Sequence, residues 1–172
     1  MKQKLFFALM PNQQDVCAMA ETLRKSNLEM SGTVQPPEKW HLTVAYLGWV
    51  EQHLVGDFVE VGKLISSQSF PVTLGNLEYW PDAKVTVLTP SSIPTQFTRL
   101  FESLWQPLNN LGFKHQFPQF DPHVTLTRGQ TVLSDKKLVE AIKWKIDEFM
   151  LVNSIKSDAG AHYSIIQRWS LI

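Results

Sequence analysis

One cysteine, Cys17, stands in 172 residues. An internal disulfide and a cysteine-based zinc cluster are therefore both excluded, and a reducing compartment fits. Charge is scarce as well: charged residues make up 19%, and 16 basic residues cancel 16 acidic ones. A protein that grips nucleic acid through one broad basic field needs an excess of lysine and arginine to displace counterions, and this chain has none. A small anionic substrate held by a few well-placed groups stays open. No run approaches the roughly 18–20 apolar residues of a membrane span. The first apolar stretch, Leu5 to Met10, stops at Pro11; it is too short for a signal-peptide core and lacks a small-residue cleavage site. The chain reads as soluble and cytoplasmic, with that stretch a buried strand. What is plentiful is apolar and aromatic mass, 44% and 11%, enough for a packed core in one domain or two tightly joined lobes.

Periodicity predicts strands over 5–10, 40–47, 70–77, 85–89, 123–128, 146–152 and 163–171. Helices are predicted over 13–26, capped by Asn12, over 51–65, and over 94–111, with Ser92 as cap and Gly112 as C-terminal stop. A loop is expected over 31–39, a turn at Trp80-Pro81-Asp82, and a short helix after Ser134. Strands and helices mix without regular alternation, which predicts an α+β fold with mainly antiparallel sheet. No linker or low-complexity run divides residues 1–172.

Within this pattern lies a faint repeat. His41-Leu42-Thr43-Val44 and His123-Val124-Thr125-Leu126 share one form, 82 residues apart, close to half the chain. That spacing suggests two related lobes facing each other. On a strand, His41 and Thr43 share one face while Leu42 and Val44 bury on the other; His123 and Thr125 behave alike. With 11 threonines and five histidines, two of the five having threonine two residues on is roughly a 4% event before the apolar neighbours are counted. The bland alternative is a pair of half-buried strand histidines bonded to nearby threonines.

Two imidazoles and two hydroxyls in one cleft suit phosphodiester transfer or hydrolysis. A neutral histidine takes the proton of an attacking water, and a protonated one returns a proton to the leaving oxygen. Threonine hydroxyls donate to the non-bridging phosphate oxygens. No metal or other cofactor is called for: the chain has no His-Glu-x-x-His, no acidic cluster and no zinc-spaced Cys/His set.

The duplicated His-x-Thr-x motif resembles that of the 2H phosphoesterase superfamily. More narrowly, the chain is similar to the RNA 2′,3′-cyclic phosphodiesterases, also called 2′-5′ RNA ligase-like proteins. Besides the motifs, the resemblance rests on Leu5-Phe6-Phe7-Ala8-Leu9, on Ala45-Tyr46-Leu47-Gly48, on Pro122 with Thr127-Arg128, and on a tail with Ser154, Tyr163 and Arg168-Trp169-Ser170-Leu171. It implies a bilobal fold of two pseudo-symmetric sheets with flanking helices, each lobe lending one motif strand to a central cleft. The implied activity is metal-free hydrolysis of a 2′,3′-cyclic phosphate on an RNA end or nucleotide to a 2′-phosphate, by a monomer. It implies His123 as the base and His41 as the acid, although the near-identical motifs do not order these roles. The reverse ligation, a 2′-5′ oligonucleotide phosphodiesterase and a non-catalytic nucleotide-binding module are the competing readings.

Tyr46 and Arg128 each follow their motif histidine by five residues. Strict alternation places both off the histidine face, so they reach a cleft only if the strand ends twist. Their functional reading is to hold the nucleoside, Tyr46 by stacking and Arg128 by cation–π or phosphate contact. Their bland reading is a core tyrosine and a surface ion. Trp80 has two readings, a rim aromatic for a base and a turn anchor, of which the second is expected; Val87 stands where the family often has a tryptophan. Tyr163 is expected to pack between strands. His53, His115 and His162 lack threonine partners and are not expected to line the cleft.

Overall fold

The computed structural model describes residues 1–25, 32–116, 119–129, 137–157 and 160–172. In chain order these form β1 (Lys2–Leu9), α1 (Gln13–Lys25), β2 (Thr33–Val34), β3 (Leu42–Glu51), α2 (Val55–Lys63), β4 (Phe70–Trp80), β5 (Val85–Pro90), α3 (Thr95–Asn110), β6 (Val124–Arg128), β7 (Lys137–Ile146), β8 (Glu148–Ser157) and β9 (Gly160–Ser170). Short 3-10 turns cover Pro37–Lys39 and Gln52–Leu54. The strands make a four-stranded sheet ordered β3-β1-β8-β9 and a five-stranded sheet ordered β2-β6-β5-β4-β7. Every pairing is antiparallel. The fold is α+β, and each sheet carries one motif strand, β3 in the first and β6 in the second.

Apolar side chains from both sheets and from all three helices merge in one buried cluster, which includes Phe7, Phe58, Phe97, Leu126, Trp144 and Phe149. Sheet strands alternate their faces, so one residue set reaches this core and the other is left to line a surface or a cleft. Phe6, Ala8, Met150 and Val152 form a separate small cluster with Tyr46 and Tyr163 packed on it. Phe6, Tyr46 and Tyr163 of that group line the cleft described below.

The helix signals act as local chemistry dictates. The Asn12 side-chain oxygen accepts the Asp15 backbone N–H at 3.0 Å, and Asp15 Oδ2 accepts the Asn12 N–H at 3.2 Å, a reciprocal cap. At the end of α3, Gly112 takes φ +86°. Its N–H donates to Asn109 O at 3.0 Å and the Phe113 N–H donates to Leu108 O at 3.0 Å, the paired bonds of a Schellman ending.

Four expectations need correction. Ser92 does not cap α3; Pro94 holds that position with no side-chain bond to the helix. The helix expected over 51–65 is a 3-10 turn followed by the shorter α2. Gly48 does not close its strand, because a φ of +73° lets β3 bulge there and run on to Glu51. No helix begins in the described residues after Ser134: residues 134–136 lie outside them, and Lys137 onward is β7, where buried Ile142, Trp144 and Ile146 alternate with exposed Lys143 and Lys145. Among the described residues no helix is long and apolar enough to cross a membrane.

Candidate active site

Both motif histidines sit one residue ahead of their strands, and both are held alike. His41 Nδ1 lies 2.6 Å from the Lys39 carbonyl at the end of the Pro37–Lys39 turn. His123 Nδ1 lies 2.8 Å from the Asp121 carbonyl. A carbonyl only accepts, so Nδ1 must carry the proton in each ring. That leaves Nε2 of each imidazole as the nitrogen free to exchange a proton.

The two motifs meet in a polar cavity of about 200 Å³ whose wall includes His41, Thr43, His123, Thr125, Tyr46 and Arg128. Phe6, Gln35, Lys4, Lys39, Ser154 and Tyr163 complete it. A more apolar groove of about 430 Å³ shares Thr43, Tyr46, His123, Thr125 and Arg128. It continues past Trp80, Val85, His115 and Phe120. A separate cavity of about 640 Å³, between the start of α1 and the turn joining β7 to β8, contains none of the predicted residues.

Tyr46 and Arg128 reach the cleft through one shared device. In β3, Ala8 pairs with Thr43 and Phe7 with Ala45, so Val44 is an extra residue; Phe6 then pairs with Tyr46. Because Ala8 and Phe6 share a face of β1, Thr43 and Tyr46 share one too. In β6, Val87 pairs with Thr125 and Thr86 with Thr127, so Leu126 is extra; Val85 then pairs with Arg128. Thr125 and Arg128 are thereby brought to the same face. A β-bulge of one residue inverts the alternation beyond it, and each motif strand carries one directly after its threonine. The twist that strict alternation would have required is not needed.

Aromatic rings hold the imidazoles. His41 lies 4.9 Å from the Phe6 ring and meets Tyr163 edge-on at 5.2 Å. His123 lies 4.4 Å from Trp80, so this tryptophan lines the site rather than merely anchoring its turn. Its Nε1–H donates to Glu78 at 3.2 Å, and Thr89 donates to the other oxygen of that carboxylate at 2.7 Å. Tyr163 likewise faces the cleft, and His115 lines the groove beside it. His53 and His162 are exposed and line neither cavity. Sequence reasoning passed over Phe6 and Lys4, although their even spacing on β1 would have put them on one face.

Burial shifts the proton affinities of this pocket. Desolvation lowers the His41 pKa to about 4; the bond to Lys39 opposes it, and the charges of His123 and Arg128 add to it. His123 is lowered too, chiefly by burial, against the pull of the Asp121 backbone bond and carboxylate. Burial raises the Tyr163 phenol. With the protein's own residues alone, both imidazoles are therefore neutral near pH 7; a phosphate anion beside them works in the opposite sense by favouring imidazolium.

A family model described as LigT like Phosphoesterase matches residues 9–88, a span that holds the first motif. Over that span, a little under half of the chain, the sequence is similar to the LigT-like phosphoesterases. The curated RNA 2′,3′-cyclic phosphodiesterase of Thermus thermophilus is 24% identical over 98% of this chain and 90% of its own length. The crystal structure of E. coli LigT complexed with 3′-AMP superposes with a TM-score of 0.89, at 24% identity and 99% coverage of both chains. The phosphate complex of E. coli LigT gives 0.84, at 22% identity, 99% of this chain and 98% of that one. The LigT-like fold thus extends well past the segment matched by the family model, through the second motif to the last strand.

Proposed function

We propose that this LigT-like phosphoesterase is an RNA 2′,3′-cyclic phosphodiesterase that leaves a 2′-phosphomonoester, using two histidines and no metal. The observation that carries the reading is the matched anchoring of His41 and His123, each with Nδ1 tied to the carbonyl two residues back and both rings lining one polar cavity. The curated Thermus relative bears the same activity in its name, and E. coli LigT has been crystallised with 3′-AMP and with phosphate.

In this reading the cyclic phosphate sits between the imidazoles, with Thr43 and Thr125 donating to its non-bridging oxygens. Water attacks phosphorus in line with the 3′ oxygen; its proton passes to Nε2 of the base, and the P–O3′ bond breaks. Nε2–H of the acid protonates O3′, which leaves a 3′-hydroxyl and a 2′-phosphate. Arg128 contacts the nucleotide, and Tyr46 and Trp80 offer ring faces for its base. The family resemblance makes His123 the base and His41 the acid. The protein's own groups favour the opposite order, since His41 is driven down to about 4 and Asp121 supports a proton on His123; an acid role for His41 rests on the charge of the substrate phosphate. The reading treats residues 1–172 as one bilobal unit, supported by the core shared between both sheets.

The test is an oligoribonucleotide ending in a 2′,3′-cyclic phosphate, incubated with the protein in EDTA. A 2′-phosphate product is expected. A 3′-phosphate would refute the regiochemistry, and binding without turnover would leave a nucleotide-binding module.

A further inference from the structure

The inner cavity carries a charge pattern that a single cyclic phosphate does not explain. Lys4, Lys39 and Arg128 line it, and no aspartate or glutamate does. Of the residues lining either part of the cleft, Asp121 is the one carboxylate, and it stands on the groove side beside His123. Elsewhere in the chain Lys2, Lys25, Lys63, Arg24 and Arg168 pair with glutamates. Among the described residues Lys4, Lys39 and Arg128 form no ion pair, and neither do surface cations such as Lys84, Arg99 and Lys145; what sets the three apart is that they share one cavity with no carboxylate in its lining. Three like charges gathered in a partly enclosed pocket repel one another, and the repulsion is relieved by anions. A cyclic phosphodiester brings one negative charge.

The cations are also placed apart from the reacting centre. Lys4 and Phe6 are two residues apart on one face of β1, about 7 Å at the usual strand rise, and it is Phe6 that packs against His41. Lys4 Nζ lies 5.8 Å from the Tyr46 ring centroid. Lys39 comes from the turn that holds His41, and its Nζ lies near β9, 3.8 Å from where a Cβ on Gly160 would sit. Ser154 and Gln35 line the same wall and add neutral donors. The Trp80 groove lies toward His123 and suits a base; the lysine wall lies toward His41 and suits an anion.

We propose that Lys4 and Lys39 form a second phosphate subsite, so that the preferred substrate is a 2′,3′-cyclic phosphate whose nucleoside carries a further phosphate on its 5′ side. This rests on the cyclic phosphodiesterase reading and narrows its substrate class. The second phosphate is either the internucleotide diester of an RNA strand or the 5′-monoester of a mononucleotide.

Three substrates separate these cases: adenosine 2′,3′-cyclic phosphate, the same nucleotide with a 5′-phosphate, and a diadenosine dinucleotide ending in the cyclic phosphate. The wild-type chain is expected to favour one or both phosphorylated forms by about tenfold or more in kcat/KM, mainly through KM, as charge-assisted contacts allow. Preference for the dinucleotide alone identifies a strand, preference for the 5′-monoester alone a mononucleotide, and preference for both a site that reads charge. In the Lys4→Gln/Lys39→Gln double variant the ratio of phosphorylated to bare substrate should fall toward one. A merely structural defect would lower all three rates together and leave the ratio intact, and that outcome, or a wild-type ratio of one, overturns the subsite. Calorimetric binding of adenosine 2′-phosphate and adenosine 2′,5′-bisphosphate provides a readout without turnover. If the bisphosphate binds about tenfold tighter only when both lysines are present, the subsite stands even if hydrolysis fails; equal binding removes it even if hydrolysis proceeds.

Discussion

A histidine serves as acid or base only when one ring nitrogen is fixed and the other is left free. Here the fixing is done by the backbone two residues upstream, at 2.6 Å for His41 and 2.8 Å for His123. The two rings differ in surroundings: Phe6 and Tyr163 enclose His41, whereas Trp80 and the Asp121 carboxylate accompany His123. Both lowered pKa values make the neutral rings dominant above pH 6.5, so the singly protonated pair needed for acid–base work forms only at lower pH in the free protein. The profile of kcat/KM reports the free protein and that of kcat the complex. Expected is a kcat/KM bell with its acid limb near pH 4, set by His41, and its alkaline limb below the ordinary histidine value of about 6.5. Bound phosphate favours the protonated rings, so the kcat optimum should lie at higher pH. Steady-state rates from pH 4 to 9 check this, and a kcat/KM still rising above pH 7 would contradict it.

Elements set the faces on which these residues meet. Paired bulges after Thr43 and Thr125 carry Tyr46 and Arg128 onto the cleft side. Residue types alone gave no sign of this, because a bulge depends on which partner residue is skipped. The histidine–threonine pairs were legible, since their period-two spacing needs only a strand, and so was the end of α3, since Gly112 is a local signal. The β7 strand was legible in principle: Ile142, Trp144 and Ile146 alternate with lysines, a period-two pattern that argues against the helix expected after Ser134. Trp80 against His123 was not, because contact between a turn and a distant strand end arises only in the assembled sheet. The glycines give a test of opposite signs. Gly112→Ala forces a side chain into φ +86° with nothing within 4 Å of the new Cβ, so it should destabilise by about 1 kcal/mol through conformation alone. Gly56, exposed in α2 with open space around it, should gain roughly 0.5–1 kcal/mol as Gly56→Ala. Urea unfolding of the two variants measures both; equal signs would show that local backbone preference does not govern these positions.

Across the whole molecule, the balance of 16 basic and 16 acidic residues conceals an uneven distribution. Lys2, Arg24, Lys25, Lys63 and Arg168 pair with glutamates at the surface, while the inner cavity gathers Lys4, Lys39 and Arg128 with no aspartate or glutamate among its described lining residues. Zero net charge argues against tracking along an RNA backbone, and a local cationic pocket agrees with recognition of a terminus. Two sheets bring one histidine each to that pocket, and a shared apolar core fixes their separation. The measurement that bears most directly on this account is cyclic phosphate hydrolysis by His41→Ala and by His123→Ala, each first shown to unfold at the wild-type temperature. Each variant should lose about 100- to 10,000-fold in kcat, the range of a positioned acid or base. The double variant should fall little further, because the two act as a unit. Near-wild-type turnover in either single variant would contradict the two-histidine mechanism.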